Sequence, residues 1–186
     1  MANYSYLIRR KVLTLFGAKF HVYDANDTLI GFSRQKAFKL KEDIRVYTDE
    51  TESAELLHIQ ARQIIDFSAC YDVIDVKTQT SLGTWRRGGF RSLLRDTWEL
   101  LDINGDVIAT LKEDSWALAL LRRLICNLIP QRYNLMVGEV KQATYVQRFN
   151  PFIFKLEVAM LPSCKISPKL ICAGGILLSA IEGRQQ

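Results

Sequence analysis

The sequence has few residues of the kinds that build catalytic or metal centres. Its two histidines, His21 and His58, lie in strand-like runs with no nucleophile elbow and no cysteine partner at a recognisable spacing. The cysteines are widely spaced, form no C-x-x-C pair and lie in apolar neighbourhoods: Cys70, Cys126, Cys164 and Cys172. We therefore interpret them as reduced core residues. These scarcities predict a protein that is not an enzyme and that holds no metal or cofactor.

Phosphate-binding and calcium-binding loops are also missing. Gly88-Gly89 is not followed by the Lys-Ser/Thr of a P-loop, and the segment 102–106 lacks the alternating ligands of an EF-hand, so a hairpin turn is the better interpretation. The first residues show no signal-peptide core, and Ala2 argues against N-myristoylation. The sequence therefore predicts a cytoplasmic protein that could also bind peripherally to an anionic membrane surface.

Charge is modest and of mixed sign. The 186 residues include 25 basic and 20 acidic side chains, for a net charge of +5. This balance favours anionic partners, but basic and acidic residues are interleaved and no recognition helix is visible, so nucleic acid is not expected. The length and the 48% hydrophobic content predict one domain that spans residues 1–186.

The longest apolar run lies near the C-terminus and has the signals of a helix over about 168–182. Ser167 is a good N-cap, Pro168 suits the first helical position, and Gly183 can end the helix. Twelve apolar or small residues rise about 18 Å, which is short of the roughly 30 Å of a bilayer core. Because the run is apolar on all sides, it predicts a core helix enclosed by the rest of the fold.

A strand-ending aspartate recurs along the first two thirds of the chain. Asp24, Asp49, Asp75 and Asp102 follow one another at spacings of 25, 26 and 27 residues. After each come a polar turn and a second apolar run, and a short Asp side chain can hydrogen-bond the backbone of such a turn. This pattern predicts four consecutive β-hairpins.

An opening strand, these eight strands and three later ones predict a closed antiparallel barrel of about twelve strands around the C-terminal helix. A further amphipathic helix is expected from Trp116 to Leu128, with Arg122-Arg123 on its polar side. It could plug one end of the barrel or lie in a membrane interface.

The chain resembles the tubby C-terminal-like superfamily, and most of all its LURP-one-related and phospholipid-scramblase-like branch. Three features carry the resemblance: the segment from Ile30 to Ile44, the repeated strand-Asp-turn units and the closing apolar helix. The resemblance implies a roughly twelve-stranded barrel threaded by the C-terminal helix. It also implies phosphoinositide binding through surface basic residues. The chain lacks the Pro-rich N-terminal region, the cysteine cluster and the spanning segment of the scramblases, so lipid scrambling is not expected.

Basic residues follow equivalent points of the first and third hairpin units, and barrel closure could bring them to one rim: Arg34, Lys36, Lys39, Lys41, Arg86, Arg87, Arg91 and Arg95. Converging Arg and Lys side chains can bind phosphate, so the predicted function is non-catalytic binding of phosphoinositide or other anionic phospholipid headgroups. Long cationic side chains can also simply solvate a barrel exterior. Two other functions remain open, a protein–protein interaction scaffold and a carrier of a small apolar ligand in the barrel lumen.

Overall fold

The computed structural model describes residues 5–11, 18–35, 43–62, 69–88, 97–113, 131–148, 150 and 153–181. These residues form twelve strands and one helix: β1 (Tyr6–Lys11), β2 (Ala18–Tyr23), β3 (Leu29–Gln35), β4 (Asp43–Tyr47), β5 (Glu55–Ala61), β6 (Cys70–Asp75), β7 (Thr80–Arg87), β8 (Thr97–Leu101), β9 (Val107–Glu113), β10 (Arg132–Val137), β11 (Val140–Arg148), β12 (Ile153–Met160) and α1 (Pro168–Ile181). The amphipathic helix predicted from Trp116 to Leu128 lies outside the described residues.

The strands form a closed antiparallel barrel in which each strand pairs with its neighbours in sequence. Closure comes from β1, which pairs with β2 on one side and with β12 on the other, as in Leu7 opposite both Tyr23 and Glu157. Alternate side chains along each strand face the interior, where Phe20, Trp85 and their neighbours are fully buried. The predicted twelve-stranded barrel is confirmed.

The helix α1 occupies the interior of this barrel. It packs against β1 and β12 on one side and against β5 and β7 on the other. Ten of its residues are buried, including the run from Ala173 to Ala180. It begins at Pro168 as predicted, and the Ile171 amide donates to the Ser167 carbonyl at 3.1 Å. The predicted core helix is confirmed.

Two glycines let the barrel wall hydrogen-bond the backbone of α1. Trp85 Nε1 donates to the Leu170 carbonyl at 3.0 Å, and the Tyr145 hydroxyl donates to the Ile171 carbonyl at 3.0 Å. In a helix a side chain covers the turn that precedes its own Cα, so residues 174 and 175 lie over these two carbonyls. Both are glycine, and the uncovered carbonyls accept a second hydrogen bond from the wall.

The aspartates of the repeat stabilise their turns. Asp102 Oδ1 accepts the amides of Asn104 and Asp106, both at 2.9 Å, and Gly105 supplies the positive φ of 92° that the turn needs. The other three accept backbone amides of their own turns in the same way: Asp24, Asp49 and Asp75. The predicted role of the aspartates is confirmed.

These hydrogen bonds predict that the protein loses stability in acid. The pKa of each carboxyl lies below its usual 3.8, chiefly because of the Thr28 amide for Asp24, the Thr51 hydroxyl for Asp49, the Lys169 ammonium for Asp75 and the Asp106 amide for Asp102. A lowered folded pKa contributes stability above the unfolded value, and this contribution is lost as the pH falls through the folded value. We therefore expect the urea concentration at the unfolding midpoint to be lower at about pH 3 than at about pH 6.

The variant Asp102→Asn provides the control, because an amide can hold the same turn without titrating. Its urea midpoint should change less with pH than that of the wild-type chain. An identical pH dependence in the two proteins would contradict this account of the Asp102 turn.

Candidate functional site

The antiparallel order gives the barrel two distinct ends. Connections that follow the odd-numbered strands all leave one end, which we call the basic end. Turns that follow the even-numbered strands, together with the link from β12 to α1, leave the other end, which we call the acidic end. The reason for these names is the charge of the connecting segments.

The connecting segments of the two ends carry opposite net charge. At the basic end they are 12–17, 36–42, 62–69, 88–96, 114–131 and 149–152. These contain eight basic and four acidic residues, a net charge of +4. At the acidic end they are 24–28, 48–54, 76–79, 102–106, 138–139 and 161–167, with eight acidic and two basic residues, a net charge of −6. The modest charge of the whole chain therefore conceals opposite net charges in the sequences of the two sets of connections.

Three of the eight predicted site residues lie in the described part of the chain. Arg34 is near the end of β3, and Arg86 and Arg87 end β7. Both strands point toward the basic end, but four strand spacings separate them, about 19 Å along the wall. Arg86 and Arg87 lie at the basic end, whereas the Arg34 guanidinium reaches Glu52 in the turn 48–54 of the acidic end, so the three residues do not form a single anion site. The other five lie outside the described residues: Lys36, Lys39, Lys41, Arg91 and Arg95.

Each of the three has a partner close by. Arg34 Nε lies 3.3 Å from a Glu52 carboxylate oxygen, and Arg86 Nη2 lies 2.6 Å from a Glu99 carboxylate oxygen. The Arg87 guanidinium lies 5.9 Å from the centroid of the buried Trp98 ring. Ion pairs of this kind are also found on barrel surfaces that bind no ligand. Any anion that binds Arg34 or Arg86 must share the guanidinium with a carboxylate.

A second group of cations lies on the outer wall, away from the predicted site residues. Lys155 on β12 is directly opposite Arg9 on β1 and directly opposite Arg148 on β11. We call Arg9, Lys155 and Arg148 the cationic row. Their neighbours along the strands, such as Ile8 and Phe154, face the core, so the row faces outward. No spacing in the sequence signals this group, because it depends on the register between the first strand and the last two.

The members of the cationic row differ in their partners. Arg9 donates to an Asp27 carboxylate oxygen at 3.0 Å, and Arg148 donates to a Glu157 carboxylate oxygen at 2.7 Å. This contact raises the pKa of Arg148 above its usual value. Lys155, at the centre, forms no ion pair with any carboxylate in the part of the chain that the structure describes.

Both histidines lie on the barrel wall beside carboxylates. His21 Nε2 is 2.9 Å from a Glu50 oxygen, and His58 Nε2 is 2.6 Å from an Asp43 oxygen. Across the described ranges, no three His, Cys, Asp or Glu side chains are grouped so that they could hold a metal ion.

The cysteines that the structure describes are free thiols: Cys70, Cys164 and Cys172. Burial raises the pKa of the Cys172 thiol to about 12, which keeps it protonated and unreactive at neutral pH. Cys126 lies outside the described residues.

Within the described part of the chain, no helix has the length and apolar character needed to cross a bilayer. Comparisons with protein-family models, with curated proteins and with solved structures found no match for this chain. Membership of the tubby-like superfamily therefore stays a prediction from the sequence.

Proposed function

We propose that the protein is a non-catalytic binding module that holds phosphoinositide or other anionic phospholipid headgroups at its basic end. The observation that carries the proposal is the division of charge between the ends, +4 in one set of connections and −6 in the other. A basic residue near an anionic surface contributes about 1 kcal/mol, and an acidic group is repelled. An anionic membrane would therefore attract the basic end and turn the acidic end away.

The mechanism is electrostatic, and no substrate is turned over. Arg34 and Arg86 are partly exposed, and exposed ion pairs such as theirs contribute roughly 0–1 kcal/mol. A phosphate group at the basic end can therefore share the Arg86 guanidinium with Glu99. Because the attraction acts between charges in water, binding should weaken steeply with salt.

Charge reversal at the basic end tests the assignment of the site. The triple variant Arg86→Glu, Arg87→Glu and Arg91→Glu should bind anionic vesicles roughly 100-fold more weakly or worse, since each basic residue contributes about 1 kcal/mol. Vesicle sedimentation measures the effect. The glutamine versions of the same three substitutions should weaken binding in the same direction without placing a new carboxylate beside Glu99.

The matched control reverses three exposed lysines of the acidic end: Lys77→Glu, Lys141→Glu and Lys165→Glu. It changes the net charge of the chain by the same amount, so an equal loss of binding would assign the effect to net charge. Unchanged vesicle binding in the basic-end variants would contradict the proposed site.

A second candidate function is a protein–protein interaction scaffold. The tips of two neighbouring hairpins at the acidic end expose apolar side chains: Ile103, Val107, Ile108, Val137 and Val140. Ile103 is 73% exposed, and clustered apolar groups of this kind mark contact surfaces. A protein partner that stays bound at high salt would favour this function over lipid binding.

A further inference from the structure

We propose that the cationic row of Arg9, Lys155 and Arg148 is a binding site for a phosphate-class oxyanion on the outer wall of the barrel. The inference rests on the proposed function for its ligand class, and deepens it by placing a phosphate on strands β11, β12 and β1. The site does not depend on the connections of the basic end, so the two can be tested separately.

The register places the three residues side by side on the wall. Residues directly opposite each other on antiparallel strands have Cβ atoms about 4.5–5.5 Å apart, so the row spans about 10 Å. Like charges in this arrangement repel and destabilise a sheet. Here Lys155 faces an arginine on each side. A bound anion at the centre would turn this repulsion into attraction.

The carboxylates nearby leave the centre of the row uncompensated. Asp27 pairs with Arg9 and Glu157 pairs with Arg148, each through one terminal guanidinium nitrogen. Lys155 has no such partner among the described residues. The positive charge of the row is therefore highest around Lys155.

The side-chain chemistry fits a phosphate group. A guanidinium carries five N–H donors in a fixed fork that matches phosphate oxygens, and lysine adds a point charge. A phosphate monoester carries about −1.5 to −2 charges and three acceptor oxygens at neutral pH, enough for all three side chains. The Arg9 guanidinium lies 4.5 Å from the centroid of the Tyr23 ring on β2, so it must turn back across β1 to reach an anion at Lys155.

The test variant is Lys155→Gln, which keeps most of the side-chain length and removes the central charge. Inorganic phosphate and inositol trisphosphate serve as probes at constant ionic strength, with acetate as the carboxylate comparison, and amide NMR shifts report binding. We expect phosphate-probe affinity to fall about 10-fold or more, since loss of a charge-assisted hydrogen bond costs about 1.5–3 kcal/mol. Acetate should bind more weakly than either phosphate probe.

A second readout separates a binding lysine from a structural one. Without ligand, Lys155→Gln should be at least as stable as the wild-type chain, because the substitution removes like-charge repulsion. At a ligand concentration of 100 times Kd, the wild-type Tm should rise by roughly 5–10 °C, and the variant should lose this rise.

The matched control is Lys112→Gln. Lys112 is an exposed lysine of β9 that lies opposite the uncharged residues Thr97 and Asn134. It should leave phosphate affinity unchanged. Equal loss in both variants, unchanged affinity in Lys155→Gln, or no phosphate binding by the wild-type chain would each overturn the proposed site.

The arms of the experiment also identify the source of the phosphate. If Lys155→Gln weakens binding of both the soluble probes and phosphoinositide vesicles, the site takes a lipid headgroup. If it weakens binding of the soluble probes alone, the site takes a free phosphate compound. Vesicle binding that is lost in the basic-end variants, with phosphate binding intact in Lys155→Gln, would overturn this inference and leave the proposed function standing.

Discussion

A chain ended after Ser167 should not fold. Removing α1 takes out a helix whose side chains are buried on all sides, including Leu170, Ile176 and Leu177. Each large apolar side chain lost from a core costs about 2–5 kcal/mol. Trp85 Nε1 and the Tyr145 hydroxyl would also lose their acceptors inside an apolar cavity, at about 1–3 kcal/mol each. Together these losses exceed the roughly 5–15 kcal/mol by which proteins are stable.

Circular dichroism and urea unfolding can test this prediction. The control is a chain that keeps α1 and ends after Ile181, and it should unfold cooperatively with the midpoint of the full sequence. A truncated chain 1–167 that still unfolds cooperatively, with a similar midpoint, would show that the barrel stands without its helix. It would also reopen the possibility of a ligand in the lumen.

The substitution Gly174→Ala should destabilise the protein by about 1–3 kcal/mol, because overpacking of about 1–3 kcal/mol and a hydrogen bond weakened by about 1 kcal/mol outweigh a gain of about 1 kcal/mol in helix propensity. An alanine Cβ at this position would lie 2.6 Å from Cζ2 and 3.0 Å from Cε2 of Trp85. The Trp85 ring has no room to retreat, because it is fully buried and donates to the Leu170 carbonyl. Helix propensity alone predicts the opposite sign, a gain of about 1 kcal/mol for glycine to alanine.

Urea denaturation measures whether Gly174→Ala lowers or raises the free energy of unfolding. The matched comparison is Gly175→Ala. Its Cβ would lie 2.5 Å from Ile8 Cδ1 and 3.2 Å from Val158 Cγ2, and such terminal methyl groups turn aside more easily than a ring fixed by a hydrogen bond, so its cost should be smaller than that of Gly174→Ala. Replacing Trp85 with Phe should make Gly174→Ala less costly, a coupling that a double-mutant cycle measures. A rise in stability for Gly174→Ala would contradict close contact between helix and wall.

The fold could be predicted from the sequence because its signals are local. The aspartate repeat marks turns through hydrogen bonds that span two to four residues, as at Asp102, and the strand count follows from the turns. The start of α1 at Pro168 is likewise a local capping signal. Burial of that helix followed from its composition, because a helix apolar on all sides must be enclosed.

Side-chain pairing across the barrel could not be predicted, because register is set by tertiary contacts. Arg34 and Arg86 stand out in the sequence as basic residues near connections, and nothing nearby indicates that Glu52 and Glu99 contact them. The cationic row was missed for the same reason. Closure places Lys155 beside Arg9, at the other end of the chain.

Sedimentation with lipid vesicles of graded anionic content, including phosphoinositides, tests the central claim of anionic headgroup binding most directly. It should be carried out with the full chain at low and at physiological salt. We predict binding that increases with anionic content, is strongest with phosphoinositides and weakens steeply as salt rises. Absence of binding at both salt concentrations, or binding that does not depend on lipid charge, would contradict anionic headgroup binding. The protein–protein scaffold would then be the leading function.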